Sequence, residues 1–352
     1  MNKNYYALIM AGGIGSRFWP VSTKDNPKQF HDMLGTGKSL LQQTYDRLSN
    51  IIPKENILIA TNKTYKSLVK KHLPEIKDSQ ILAEPAMRNT APCILYSALK
   101  IKGLNEEAVM IVAPSDHHIE NETQFTENVI TAFKACEEND ILMTLGIEPS
   151  NPNTGYGYIR YKDSANEIKE VINFTEKPDL ETAKKFLKEG DYLWNAGIFV
   201  WSVKSVLSAF ESSLSEMFSL FHQGIEYYNS PKEDRFIEEN YSLAENVSID
   251  YGIMEGAKNV FVLPVDFGWN DLGTWGALYD KLDKDKNQNA VVNAKVYSED
   301  SFQNMISTQR GKRVVVKGLE NFIIVDTQDT LLILPKENEQ EIKEISARAI
   351  QS

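Results

Sequence analysis

Two cysteines in 352 residues, Cys93 and Cys136, are too few for a disulfide framework. Both fall in stretches patterned as helices among apolar neighbours, so buried free thiols in a reducing, cytoplasmic setting are expected. Long apolar runs are also missing. None approaches the roughly 20 residues a membrane-spanning helix needs, and the first run, Tyr5 to Met10, is too short for a signal-peptide core; no membrane partner is expected. Basic residues are in deficit, 38 Lys and Arg against 49 Asp and Glu, for a formal charge of −11. That balance argues against nucleic-acid binding through a basic face, and an anionic substrate then needs a local basic pocket. No Ser/His/Asp or Cys/His set is arranged for nucleophilic catalysis. His117 and His118 are adjacent, so on an extended stretch they point opposite ways, and without a Cys or a third spaced His zinc is not expected.

What is present is ordinary core-forming material, 42% hydrophobic and 25% charged residues. The first half alternates strand and helix patterns: strands at 5–10, 56–61, 80–83, 108–113 and 141–147, with helices at 39–48, 64–73, 90–101 and 125–138. Ser39 with Gln42 forms a capping box for the first helix. This alternation predicts an α/β fold with a Rossmann-like, mostly parallel sheet flanked by helices, and ligands gathered at the carboxyl ends of its strands. The middle predicts antiparallel strands at 155–161 and 170–175, a helix at 180–189, a strand at 194–202, a long helical region at 203–225, a charged and less regular stretch at 234–245, and a last strand at 261–265. Asp280 to Asn289 reads as a solvated linker dividing a domain of residues 1–283 from one of 284–352. The second is β-rich, with short strands near 290–297, 313–317, 321–326 and 330–334 and an amphipathic helix from Glu339; the strand lengths fit a small sandwich or a few coils of a β-helix. No internal repeat is read from the sequence.

The most informative stretch is Tyr5 to Phe30, YYALIMAGGIGSRFWPVSTKDNPKQF. A buried strand breaks into Ala11, Gly12, Gly13 and Gly15, which lets the backbone bend and its N–H groups approach a ligand. Arg17 and Lys28 add two cations, completing a polyphosphate cradle. The loop matches neither common phosphate-loop pattern. The joint spelling G-G-x-G-x-R-x-W-P and P-K-Q-F instead resembles the signature of sugar-nucleotide pyrophosphorylases, in the mannose-1-phosphate guanylyltransferase branch, and motifs in the expected order continue to about Gly273.

The resemblance implies a nucleotidyltransferase fold with a short left-handed β-helix-like cap. It implies that GTP and mannose 1-phosphate become GDP-mannose and pyrophosphate with Mg²⁺ as cofactor, in a homodimer. A longer type in this family carries a metal-dependent isomerase domain beyond this point, and none is expected here. On the matching positions, Ala11, Gly12, Gly13, Gly15, Glu84, Asn89, Thr90 and Ser115 contact the nucleotide. Glu84, in E-P-A-M-R-N-T, faces guanine, whose two adjacent donors suit an acceptor-only carboxylate; Asn89 or Thr90 also fits as a helix N-cap. Asp116 in P-S-D-H-H and Asp271 in W-N-D-L-G hold the metal, consistent with the preference of magnesium for carboxylates supplemented by phosphate and water. Glu176 and Lys177, in N-F-T-E-K-P, clamp the sugar phosphate, and Gly155 and Asn195 contact the hexose. Asp250, in S-I-D-Y-G-I-M-E, is read as structural or sugar-proximal.

With Arg17, Lys28, Asp116, Lys177 and Asp271 as the catalytic set, the chemistry expected is in-line attack of a sugar-phosphate oxygen on the α-phosphorus of GTP. The nucleophile is already anionic, so no general base is required and catalysis is positioning plus electrostatics. A pyrophosphorylase for another hexose phosphate or nucleotide, and a non-catalytic sugar-nucleotide sensor, are the alternatives. The full set of two cations and two aspartates argues against the sensor.

Overall fold

The computed structural model describes residues 1–350; the last two positions of the expected tail helix lie outside the described residues. Strand β1 (Tyr5–Met10) is almost wholly buried. Helix α1 (Leu40–Ser49) begins at the anticipated capping box: Ser39 Oγ accepts from Gln42 N, Gln42 Oε1 accepts from Ser39 N, and Leu40, Leu41, Tyr45 and Leu48 are buried. Then follow β2 (Ile57–Asn62), α2 (Lys66–His72), β3 (Ile81–Glu84), α3 (Thr90–Lys102), β4 (Val109–Pro114), the two-residue β5 (His118–Ile119), α4 (Glu122–Glu138) and β6 (Leu142–Ile147). Cys93 and Cys136 sit in α3 and α4 as buried free thiols.

The middle contributes β7 (Tyr158–Tyr161), β8 (Lys169–Thr175), α5 (Leu180–Glu189), β9 (Tyr192–Ser202), α6 (Val203–Ser213), α7 (Ser215–His222), α8 (Glu233–Asn240), β10 (Val260–Val265), β11 (Trp269–Asn270) and α9 (Trp275–Lys281). Two expectations change here. The long helical region is two helices meeting at Leu214, whose backbone leaves helical geometry. The charged stretch holds a regular helix, α8, because Phe236 and Ile237 supply a buried face that the surrounding Glu and Asn residues mask in the sequence.

The main sheet has nine strands in the order β3-β2-β1-β4-β9-β6-β10-β8-β7. It is mostly parallel, as expected, with seven of the nine strands pointing one way; the exceptions are β9, antiparallel to both β4 and β6, and β8, antiparallel to β10. The parallel block β3-β2-β1-β4 keeps the expected crossovers, so the loops after β1, β3 and β4 emerge at one edge. The short β11 pairs with β5, bringing the segment around Asp271 beside the one around Asp116.

Beyond α9 come β12 (Ala290–Glu299), β13 (Met305–Lys317), β14 (Phe322–Asp326), β15 (Leu331–Pro335) and α10 (Ile342–Ala349). β12, β13 and β14 stack in parallel, with Ala290 on Met305 and Met305 on Ile323, as coils of a β-helix; β15 closes the stack antiparallel. Two successive coils carry a short repeat overlooked in the sequence, QNAVV and QNMIS; the third sets NFIIV in the same register, with Phe322 at the asparagine position. Its asparagines link successive turns, Asn304 N and Nδ2 donating to Asn289 Oδ1 at 3.0 Å and Phe322 N to Asn304 Oδ1 at 2.9 Å. The expected linker is correspondingly packed: Asn289 is buried, and Tyr279 donates to the Gln288 carbonyl.

One apolar cluster crosses from the cap to the first domain. It joins Ala290, Met305, Ile323, Leu332 and Ile342 to Phe18, Met33, Leu272, Trp275 and Leu278. Phe18 and Leu272 flank Arg17 and Asp271 in sequence, so the cap braces the loops that carry them. Removal of residues from 290 onward is expected to expose this cluster and give aggregated protein in size-exclusion chromatography; a monodisperse truncated protein of unchanged assembly would contradict the shared core.

Candidate active site

The glycine loop leaves β1 with its shape fixed by contacts. Gln29 Nε2 donates to the carbonyls of Ala11 and Gly13, at 2.8 and 3.0 Å. Gly15 has φ 68°, and a Cβ there would lie 2.5 Å from Lys28 Cβ, so only glycine allows the loop to close on the lysine. Gly13 is open on its outer side. Arg17 is exposed on the 3-10 turn that follows, with Phe18 anchoring the turn in the core.

Lys28 is 3% exposed, and its ammonium lies where three strand ends converge. Nζ meets Asp116 Oδ2 at 3.0 Å and the Asp271 carbonyl at 2.8 Å, over the Phe18 ring. Asp271 Oδ1 accepts from Tyr156 O–H at 2.7 Å. Burial pushes the Asp116 carboxyl up, but the Lys28 charge, His117 and hydrogen bonds outweigh it and hold the group below the usual carboxylate range. His117 is pushed down by burial. Its Nδ1 accepts from the Trp269 indole N–H at 3.1 Å, so the neutral ring carries its proton on Nε2. His117 faces a cavity that His118 does not line, in keeping with the opposed directions expected of the pair.

On the far side of the glycine loop stands Glu84, the last residue of β3. It is buried; one oxygen accepts from the Tyr241 hydroxyl, and a Cβ on Gly12 would sit 3.5 Å from the other. Burial raises the carboxyl to about 7 against the lowering effect of that hydrogen bond. Asn89 occupies the N-cap position of α3 without a side-chain cap and with φ 64°, so its amide is uncommitted to the helix. Thr90 does not cap either; its Oγ1 accepts from Ile249 N. Ser115 is brought to the same edge, yet it is 2% exposed and its carbonyl is held by Thr44.

Beside these groups opens a cavity of about 240 Å³, lined by His117, Gly155, Tyr156, Glu176, Lys177, Asn195, Asp250 and Asp271 among others. Glu176 and Lys177 form an ion pair at 2.5 Å in which the carboxylate is buried and the lysine half-exposed. Gly157 makes room for that carboxylate: a Cβ would come within 2.5 Å of it. Lys177 is pushed down by burial but raised on balance by Glu176. Asn195 donates to Asp250 Oδ1 at 3.0 Å and accepts from Thr144 and from Gly197 N. Asp250 belongs to this cavity, where a single π-helical turn presents it, and burial with the nearby Glu176 raises it to about 6. Lys177 and Leu272 have φ 46°, a conformation that non-glycine residues adopt rarely.

All the residues named from sequence thus converge on one edge of the sheet. Tyr156, Trp269 and Tyr241 were missed, because a Tyr or Trp in an apolar stretch carries no local sign of the polar atom it will meet. The donor set suits a hard cation: Asp116 Oδ1 and Asp271 Oδ2 are not committed to the hydrogen bonds above, and both are oxygen ligands. Among the described residues no group of three or more His, Cys, Asp and Glu side chains forms a self-sufficient metal site, so a cation held here must complete its shell from substrate and water. The arrangement, a cationic loop, two carboxylates and a polar cavity, can hold two phosphorylated molecules end to end.

Two family models match the chain: nucleotidyl transferase over residues 6–288, and a mannose-phosphate isomerase/GMP-like β-helix domain over 295–348. The sequence is 35% identical to the mannose-1-phosphate guanylyltransferase RfbM of Salmonella typhimurium, over 97% of this chain and 72% of that one. It is 32% identical to a mannose-1-phosphate guanylyltransferase of Escherichia coli, over 98% and 75%. Among solved structures, a mannose-1-phosphate geranyltransferase from Thermus thermophilus superposes with TM-score 0.88 at 30% identity, covering 98% of this chain and 99% of the other.

Proposed function

The chain belongs to the nucleotidyl transferase family, in the company of mannose-1-phosphate guanylyltransferases, and on that footing we propose that it joins GTP and mannose 1-phosphate into GDP-mannose with release of pyrophosphate. The observation that carries this reading is the meeting of Lys28 with Asp116 and the Asp271 segment, between the glycine loop and the cavity of Glu176 and Lys177. Residues 1–283 act as the catalytic unit and 284–352 as the cap.

The loop amides of residues 11–15 and Arg17 take the triphosphate, and Glu84 with Asn89 and Thr90 faces the base. Lys177 draws the mannose 1-phosphate into line, while Glu176, Asn195 and the Gly155 backbone orient the hexose. Asp116 and Asp271 would hold Mg²⁺, which when bound supplies positive charge to the phosphates. A phosphate oxygen of the sugar then bonds to the α-phosphorus as the bond to the bridging β-oxygen breaks, and pyrophosphate leaves with both electrons. Arg17 offsets charge on the leaving group. No side chain needs to remove a proton, which accommodates a neutral His117. The expected homodimer draws support from Tyr297, Val315, Leu331 and Ile333, exposed on the cap; cytoplasmic residence draws it from the two unpaired thiols.

Pyrophosphate release from purified protein, with GTP or ATP crossed against mannose or glucose 1-phosphate in Mg²⁺, tests the reading. GTP with mannose 1-phosphate is expected to give the highest kcat/KM; no release with any pair would overturn it. Arg17→Ala is expected to slow turnover by a factor of about 10²–10³, as removal of one preorganised charge stabiliser typically does. Binding of GDP-mannose, which lacks the leaving pyrophosphate, is expected to change much less by calorimetry; near-normal turnover would remove Arg17 from this role.

A further inference from the structure

Tyr241 lies 157 residues from Glu84 and is fully buried against it, its hydroxyl donating to Glu84 Oε1. It follows α8 directly, and α8 is locked to α3. Glu233, the first residue of α8, pairs with Lys100 of α3 at 2.6 Å and accepts from the Tyr96 hydroxyl, these three side chains being buried, and from the backbone N–H of the exposed Asn229. The Phe221 ring meets Tyr241 edge-on. Helix α3 in turn begins at Asn89 and Thr90. The tyrosine O–H is therefore a fixed donor, set by the element that opens the expected nucleotide side of the cleft.

We propose that Tyr241 is a positioning residue for base selection: its hydroxyl orients the Glu84 carboxylate and keeps it an acceptor toward a base with adjacent ring N–H and exocyclic NH₂ donors. This rests on the reading of Glu84 as the group that faces the base. One carboxylate oxygen is steadied by the tyrosine and the other is left toward Gly12. The ionisable groups set against Glu84 are Tyr241 and the Cys93 thiol of α3, with Tyr96 behind the tyrosine; the glycine loop adds none. Burial pushes Cys93 and Tyr241 up, so both stay neutral near pH 7. The protonation of Glu84 is then a contest between burial, which raises it, and the tyrosine hydrogen bond, which lowers it.

The ionised carboxylate accepts from guanine and confronts the unprotonated ring nitrogen of adenine. Guanine preference is thus present above about pH 7 and lost below it. Removal of the tyrosine donor destabilises the ionised form and moves that midpoint upward. The measurement is the ratio of kcat/KM for GTP over ATP as a function of pH; protons on the triphosphate affect both nucleotides and cancel. In the unaltered protein the ratio should rise through about 7. In Tyr241→Phe the midpoint should move up by about one to two units, the effect of losing a hydrogen bond to a charged group. Glu84→Gln should give a low ratio independent of pH. Adding Tyr241→Phe to Glu84→Gln strands no carboxylate and should leave that ratio unchanged. A Tyr241→Phe profile identical to wild type, while Glu84→Gln loses preference, would overturn the role of Tyr241 alone. A ratio in the double variant unlike that of Glu84→Gln would do the same and remains readable if Tyr241→Phe folds poorly. Full guanine preference in Glu84→Gln would overturn the base reading and this inference together.

Discussion

Lys28→Met is expected to lower kcat by at least about 10²–10³, the cost typical of losing one preorganised electrostatic contact in a closed site. The lysine does two things at once. It faces Asp116 and the Asp271 carbonyl from a position 3% exposed, and it is the charge that holds the Asp116 carboxyl down against its own burial. Methionine keeps the length and the packing on Phe18 and removes only the charge. Arginine is not expected to rescue, because the ammonium is enclosed between Asp116, the Asp271 carbonyl and the Phe18 ring at a site 3% exposed, which leaves no room for the broader guanidinium. Single-turnover kinetics with pyrophosphate detection check both variants, with circular dichroism confirming the fold; a near-wild-type kcat in Lys28→Met would remove the lysine from catalysis.

A comparable loss is expected from each of Asp116→Asn and Asp271→Asn, with the double variant little worse than either. On the proposed reading both carboxylates serve one centre, and groups that act as a unit lose their function together rather than by multiplication. Asp271 is further fixed by the Tyr156 hydroxyl, so Tyr156→Phe should raise the Mg²⁺ concentration needed for half-maximal rate more than it lowers the rate at saturating Mg²⁺. Titration of activity with Mg²⁺ in the four proteins reads these effects. Losses that multiply in the double aspartate variant would mean two independent roles.

Local patterns carried much of this site because its parts sit where secondary structure stops. Gly15 and Asp116 follow, and Glu84 ends, a strand whose apolar run is plain in the sequence, and the capping box at Ser39 marked a helix start that is observed. Contacts between distant segments were less legible. Tyr241 and Tyr156 meet Glu84 and Asp271 only after the chain has folded, and nothing nearby in sequence distinguishes them from core aromatics. Asp250 reads in the sequence only as structural or sugar-proximal; a π-helical turn that no short pattern announces presents it to the cavity. The direction of β9 also escaped, since a buried strand shows the same apolar run whichever way it enters the sheet. In the cap, the Asn-led repeat was present but too short and too diverged between coils to stand out beside the strand signals.

Central to the proposed mechanism is direct attack of the sugar phosphate on the α-phosphorus, with the protein supplying position and charge and no nucleophile of its own. The stereochemical course at that atom tests it most directly, using a single diastereomer of GTP with sulfur on the α-phosphorus, together with mannose 1-phosphate. One in-line displacement is expected to give GDP-mannose thio-analogue of inverted configuration at phosphorus. Retention, the outcome of two displacements through a nucleotidylated side chain, would contradict direct attack and require a nucleophile among the residues of the cleft.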